Sequence, residues 1–280
     1  MSYQTNIQTF FPINVSLNDI KNLRFSLFVC TICNLKCSYC YARQTKKWND
    51  YLKYDVFLSI FNKIQNLKKS YEISLLGGEP TLWKFLSTSI KKLQNDPFCK
   101  RIEFFTNGIK KINIHSNKTT IFLTYHGENK NYMSLFLQNA KYYMQNNKIF
   151  INIPNTLSQN DITQLISFCI KYNVNYHIQN IFIKDEPFQN VRFENDFDLF
   201  KYNDKIINLS QAISNGISFK GWKCLQCNYL LDKNFVVDEC SNEKKSYKQF
   251  KNSMSFRICT KDTCSKNGDF LYYNFKYKVL

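Results

Sequence analysis

The chain has 280 residues, 44% hydrophobic and 16% aromatic, which suffices for a packed core and excludes a disordered chain. Its formal charge of +17 would suit a polyanionic partner. Codon bias toward Lys, Asn, Ile, Phe and Tyr accounts for the same charge, and runs such as KKINIHSNK then read as solvated faces. No window approaches eighteen uncharged apolar residues, so no membrane span is expected. The opening stretch MSYQTNIQTFFPINV lacks the basic start and apolar run of a secretory signal, so a cytoplasmic protein is expected. Eleven cysteines, an odd number, then argue for metal or redox work over a disulfide framework.

After a lead-in over residues 1–20, β-rich apolar runs fall at 23–29, 72–76, 101–106, 120–125, 148–153 and 175–183. Amphipathic segments lie between several of them. One stripe carries Val56, Phe57, Ile60, Phe61, Ile64 and Leu67, and a second Leu86, Ile90 and Leu93. MSLFLQNAKYYMQ and DITQLISFCIKY read as two more helices, the latter with Asp161 as N-cap. Strand and helix alternating in this way predict a parallel sheet over residues 21–185, an open or partial barrel with six strands or a doubly wound sheet. Residues 186–280 read as a separate cysteine-rich module, beginning with a linker and one helix around 197–213.

Glycine is scarce, seven in all, yet Gly77, Gly78, Gly108 and Gly127 each follow a predicted strand. A chain that avoids glycine elsewhere places it where the backbone must turn or approach something closely. In parallel α/β folds the carboxyl ends of the strands are where ligands bind. The stretch FVCTICNLKCSYCYARQ follows the first predicted strand and falls on that same edge. Within it, Cys33, Cys37 and Cys40 are separated by three and then two intervening residues. Structural zinc sites favour four ligands in paired hooks. Three thiolates on an iron–sulfur cubane leave one iron open, and both chemistries remain available to these cysteines alone. Cys30, at the strand end, reads as a buried thiol, as do Cys99 and Cys169.

LLGGEPTLW follows the second predicted strand, FFTNG the third and LTYHGE the fourth. Together with CNLKCSYCYA, in this order and at these strand ends, they resemble the radical S-adenosylmethionine (radical SAM) superfamily over residues 21–185. The resemblance implies an α/β fold of the partial (β/α)6 TIM-like barrel type. It implies that Cys33, Cys37 and Cys40 ligate a 4Fe-4S cluster and that Tyr39 lies near the adenine of SAM. Gly77, Gly78, Glu79 and Pro80 match a GGEP motif that meets the methionine amino group. Thr106 and Asn107 sit where the family places contacts to the ribose or carboxylate, and His126 and Asn152 stand at later strand ends, facing cofactor or substrate. A lone carboxylate between Gly78 and Pro80 has little evident packing to do, which favours a ligand role for Glu79. The implied reaction is reductive cleavage of SAM to a 5′-deoxyadenosyl radical that abstracts hydrogen from a substrate, fed by a reductase, flavodoxin or ferredoxin.

Cys224, Cys227, Cys240, Cys259 and Cys264 resemble the auxiliary-cluster modules called SPASM and, in truncated form, Twitch. That resemblance implies a second iron–sulfur cluster, with zinc on the same ligands as the alternative. The expected substrate is a peptide, protein or small molecule. A nucleic acid or nucleobase precursor is the alternative, for which the charge and Trp222, Tyr229 and Phe235 would serve. A non-catalytic zinc or iron–sulfur module is the third reading.

Overall fold

The computed structural model describes residues 7–12, 23–40, 50–127 and 132–179, and beyond them 199–202, 205–208, 215–218, 220–226, 228–231, 237–238, 244–245, 255–258 and 275–279. The chain divides into two compact units. One comprises Phe25–Glu186 with Leu230–Val236; the other comprises Met1–Arg24, Pro187–Tyr229 and Val237–Leu280.

In chain order the strands are β1 (Ile7–Pro12), β2 (Leu23–Cys30), β3 (Tyr71–Gly77), β4 (Cys99–Thr106), β5 (Thr119–Thr124), β6 (Lys148–Pro154) and β7 (Asn175–Gln179). They continue with β8 (Leu199–Tyr202), β9 (Lys205–Asn208), β10 (Lys223–Gln226), β11 (Asn228–Leu231), β12 (Val237–Asp238), β13 (Lys244–Lys245), β14 (Ser255–Ile258) and β15 (Phe275–Val279). The helices are α1 (Tyr54–Gln65), α2 (Leu86–Gln94), α3 (Met133–Met144) and α4 (Gln159–Tyr172).

The first unit is the expected α/β fold. Strands β2 to β7 lie side by side in chain order, and β3 through β7 pair in parallel. The carboxyl ends of β2 and β3 meet, with Gly78 N donating to Cys30 O and Glu79 N to Ile32 O. These six strands match the barrel strands expected from sequence; of the last, residues 180–183 lie outside the described residues. Period-two alternation divides each strand between two faces. Ile73, Leu75, Ile102, Phe104, Ile121, Leu123, Ile151 and Ile153 are buried. Phe104 meets Tyr143 of α3 edge-on at 6.4 Å, so this set faces the helices. Helix α1 contributes Phe57, Ile60, Phe61 and Ile64, spaced three and four apart, each side chain worth about 1.5–3 kcal/mol when fully buried. The opposite parity builds the other face. There Arg101 bridges Glu72 (3.2 Å) and Glu103 (2.6 Å), and Phe105, Phe122 and Phe150 stand ring to ring across β4, β5 and β6.

Two expectations are corrected. The N-cap of α4 is Ser158, whose Oγ accepts from Asp161 N (3.2 Å) and donates to Asp161 Oδ2 (2.8 Å). Asp161 therefore belongs to the first turn, where both its N–H and its carboxylate engage the capping hydroxyl of Ser158. The helix expected around 197–213 is instead an antiparallel pair, β8 with β9, registered from Tyr202↔Lys205 to Leu199↔Asn208. Strand β1 lies in the lead-in and pairs antiparallel with both β15 and β8. With β14, β10 and β9 these form the second unit's six-stranded sheet, ordered β14-β10-β15-β1-β8-β9. Among the described residues, no helix is long and apolar enough to cross a membrane.

Candidate active site

The cysteine loop leaves the end of β2 clamped on both sides. Thr31 N donates to Asp50 O (3.0 Å) and Leu52 N to Val29 O (2.7 Å), while Gly78 N and Glu79 N hold Cys30 O and Ile32 O (3.0 and 2.9 Å) from the β3 side. Buried Trp83 adds a bond from Nε1 to Leu52 O at 2.7 Å. This close approach is what the paired glycines permit. A Cβ on Gly77 would stand 2.3 Å from Cys30 O, and one on Gly78 2.4 Å from Ile32 O, so neither position accepts a side chain without moving the loop.

The four thiols separate by environment. Cys30 is fully buried, with Sγ 3.4 Å from Glu79 O and 3.7 Å from Ile32 O, and burial pushes its thiol up to about 12. It is fastened into the strand end, as expected from its position. Cys33 and Cys40 are half-buried and Cys37 is buried. Burial raises the Cys33 thiol to about 11; the Leu35 N–H donating to its sulfur (3.4 Å) pulls the other way, and neighbouring Glu79, Cys37 and Cys40 add to the rise. Among the described residues, no three His, Cys, Asp or Glu side chains gather for a single metal ion. Three soft sulfur donors on one loop, with the fourth turned away, fit an iron–sulfur cluster that keeps one corner for another ligand.

Glu79 departs from the expectation that its carboxylate has little structural work. It is 1% exposed, and Oε1 accepts from Thr81 N (3.0 Å), Thr81 Oγ1 (2.5 Å) and Thr106 Oγ1 (2.7 Å), while Oε2 accepts from Asn107 N (2.7 Å). Burial pushes this carboxyl above its ordinary range, opposed by those same donors, which favour the charged form. The carboxylate caps the short 3-10 turn Pro80–Leu82 and ties the end of β3 to the end of β4. Thr106 and Asn107 are thus engaged with protein groups. Asn107 Nδ2 donates to Asn34 Oδ1 (2.7 Å) and lies 3.9 Å from Cys33 Sγ. Thr81 and Asn34 were not singled out from sequence; their positions beside Glu79 and Cys33 were the available signal.

Tyr39 and His126 come together, Oη to Nδ1 at 2.7 Å, and His126 N donates to Tyr132 Oη at 2.9 Å. Asn152 is 3% exposed on β6. Its Nδ2 donates to Thr124 Oγ1 (3.3 Å), and its Oδ1 has no hydrogen-bond partner among the described residues. His177, the β7 register partner of Asn152, is held below its usual range by burial. Of the second cysteine set, Cys224 lies on β10 opposite Arg257 and Lys276. Cys227, Cys240, Cys259 and Cys264 lie outside the described residues, as does Phe235. Trp222 is 2% exposed, so it is not presented for stacking on a base as its sequence position had suggested.

Residues 27–162, just under half of the chain, match the family model described as the Radical SAM superfamily. No curated protein matches the chain. Among solved structures, Streptococcus suis SuiB bound to its precursor peptide SuiA is 21% identical over 57% of this chain and 40% of SuiB, with a TM-score of 0.45. The protein anSMEcpe with bound AdoMet is 14% identical over 87% of this chain and 79% of its own, with a TM-score of 0.51. BtrN in complex with AdoMet and 2-DOIA is 15% identical over 79% and 74%, with a TM-score of 0.43. The chain spans about two fifths of the length of the SuiB chains it matches, 40% and 42%. The anSMEcpe likeness speaks to the fold, the parallel α/β partial barrel described above. Residues 27–162 therefore match the Radical SAM superfamily model, and they lie within the parallel α/β unit described above.

Proposed function

We propose that the chain cleaves SAM reductively at a 4Fe-4S cluster held by Cys33, Cys37 and Cys40, and that the hydrogen it then abstracts comes from a peptide or protein. The observation that carries the reading is the separation of the thiols: three on one loop at the carboxyl edge of the sheet, and Cys30 fastened to Glu79 O and Ile32 O behind them. When bound, the cluster and SAM supply the electron transfer and the radical chemistry. The chain's own residues position and exclude. Gly77 and Gly78 let the cysteine loop sit against β3, and Pro80 starts the 3-10 turn that Glu79 caps. Tyr39, braced by His126, offers a ring beside the last cysteine for the adenine. Thr106, Asn107 and Asn152 complete the polar edge, and the unmatched Asn152 Oδ1 suits a donor on SAM or substrate. A reductase, flavodoxin or ferredoxin would deliver the electron.

The peptide reading draws on SuiB and anSMEcpe, whose structures hold peptides, and on the resemblance of Cys224, Cys227, Cys240, Cys259 and Cys264 to an auxiliary-cluster module in residues 186–280. Replacing Cys240 and Cys259 would then lower iron by about four atoms per chain; lost zinc with unchanged iron would assign a zinc site. The charge of +17 favours a second reading, a nucleic-acid substrate. Anaerobically reconstituted protein with dithionite and SAM is expected to release 5′-deoxyadenosine, and failure to cleave SAM would leave only a non-catalytic metal module. A salt-sensitive gel shift with RNA or DNA would favour the nucleic-acid substrate, and no binding at low salt would remove it.

A further inference from the structure

Asn107 is more tightly fixed than a residue waiting for a ligand needs to be. Its backbone N–H donates to the buried Glu79 carboxylate (2.7 Å), and its side-chain Oδ1 accepts from Ile109 N (3.1 Å). With 3% of its surface exposed, it has little water to turn toward. Those bonds leave Nδ2 as the group that reaches out of β4's end and into the cysteine loop. There it meets Asn34 Oδ1 at 2.7 Å and Cys33 Sγ at 3.9 Å, one residue apart in the chain. The same sulfur accepts from Leu35 N at 3.4 Å, so Cys33 receives donors from its own loop and from the end of β4.

We propose that Asn107 is a positioning residue for Cys33, held by Glu79 and shared with Asn34, whose amide orients the Cys33 sulfur and sets the reduction potential of the cluster that sulfur ligates. The proposal rests on the cluster reading of Cys33, Cys37 and Cys40. An N–H donor at a ligating sulfur stabilises the more negative, reduced cluster over the oxidised one and so raises the potential. The Nδ2 group has two hydrogens, and the shorter bond to Asn34 Oδ1 (2.7 Å) holds the amide at the longer 3.9 Å from the sulfur.

The test uses the full chain, reconstituted anaerobically, with iron and sulfide counted and the midpoint potential read by an EPR-monitored titration. Asn107→Ala is expected to hold a cluster at a lower midpoint potential than the unmodified protein, with altered g-values. Asn34→Ala, which frees the amide for Cys33, is expected to raise the potential. A purely architectural Asn107 would change cluster yield or melting temperature but not the potential of the clusters that form. An unmoved potential at full cluster content in Asn107→Ala overturns the proposal alone. Should Asn107→Ala not hold a cluster, Asn34→Ala decides: a potential at or below that of the unmodified protein overturns it. Unmodified protein that assembles no iron–sulfur cluster overturns the cluster reading, and this proposal with it.

Discussion

Tyr39 Oη lies 2.7 Å from His126 Nδ1, joining the cysteine loop to the end of β5 across 87 residues of sequence. The rings are 5.9 Å apart and tilted by 38°, so the contact is a directed hydrogen bond and not a stack. His126 is itself anchored by its backbone bond to Tyr132, whose ring packs 4.7 Å from that of Tyr125. Two site residues expected to act singly are therefore one unit, in which His126 fixes the ring of Tyr39.

That pairing predicts the effect of His126→Ala. Losing a bond worth about 1 kcal/mol frees Tyr39 to sample other rotamers. The SAM dissociation constant, read by equilibrium dialysis on cluster-loaded protein, should rise about fivefold with iron content unchanged. An unchanged dissociation constant would show that Tyr39 needs no such support.

Glu79→Gln should destabilise the fold before any ligand is added. Glutamine keeps one acceptor oxygen but turns an NH2 toward either Asn107 N or Thr81 N, leaving a buried backbone donor unmatched. The expected loss is about 2 kcal/mol in a denaturant titration of the cluster-free protein. Wild-type stability combined with weakened SAM binding would instead make Glu79 a direct ligand contact.

Gly78→Ala tests the clamp between β3 and the cysteine loop. The added Cβ would meet backbone, Ile32 O at 2.4 Å and Ile32 C at 2.6 Å, so it cannot be relieved by a side-chain rotation. Reconstitution should then yield well below one cluster per chain, while the helical circular dichroism persists. Full cluster loading in this variant would show that the loop is not held by this approach.

The buried thiols make stability pH-dependent in the alkaline range. Burial pushes Cys169 from an ordinary value of 9.0 up to about 12. Between those values the native state retains a proton that the unfolded chain has lost, so the native state binds more protons and stability falls as pH rises. The contribution is fully present below pH 9.0. Under reducing, anaerobic conditions, the stability difference between the unmodified protein and Cys169→Ala should be flat below that pH and shrink above it. A difference that grows with pH would contradict the assigned burial.

The parallel sheet was legible because burial on alternating strand faces and on one helix stripe writes periods of two and 3.6 directly into the chain. Cys30 was legible as a core thiol from its place at a strand end. The work of Glu79 was not, because its partners Thr106 and Asn107 lie 27 and 28 residues away and meet it only through the β3–β4 register. Nor was the antiparallel pair of β8 with β9, whose four-residue strands are too short to distinguish two-fold from helical periodicity. The N-cap of α4 was misplaced for a related reason: Ser158 and Asp161 both carry capping oxygens, and the dihedrals decide which residue leaves the helix, with Ser158 extended at φ −61°, ψ 149°.

The central claim is that three of the four clustered cysteines, and not the fourth, make the reactive centre. Its most direct measurement compares Cys37→Ala with Cys30→Ala, both reconstituted anaerobically, for 5′-deoxyadenosine released from SAM under dithionite. The account predicts that Cys37→Ala releases none and that Cys30→Ala releases it at a rate within a few-fold of the unmodified protein. Cleavage by Cys37→Ala, or its loss in a folded Cys30→Ala that still holds the cluster, would contradict it.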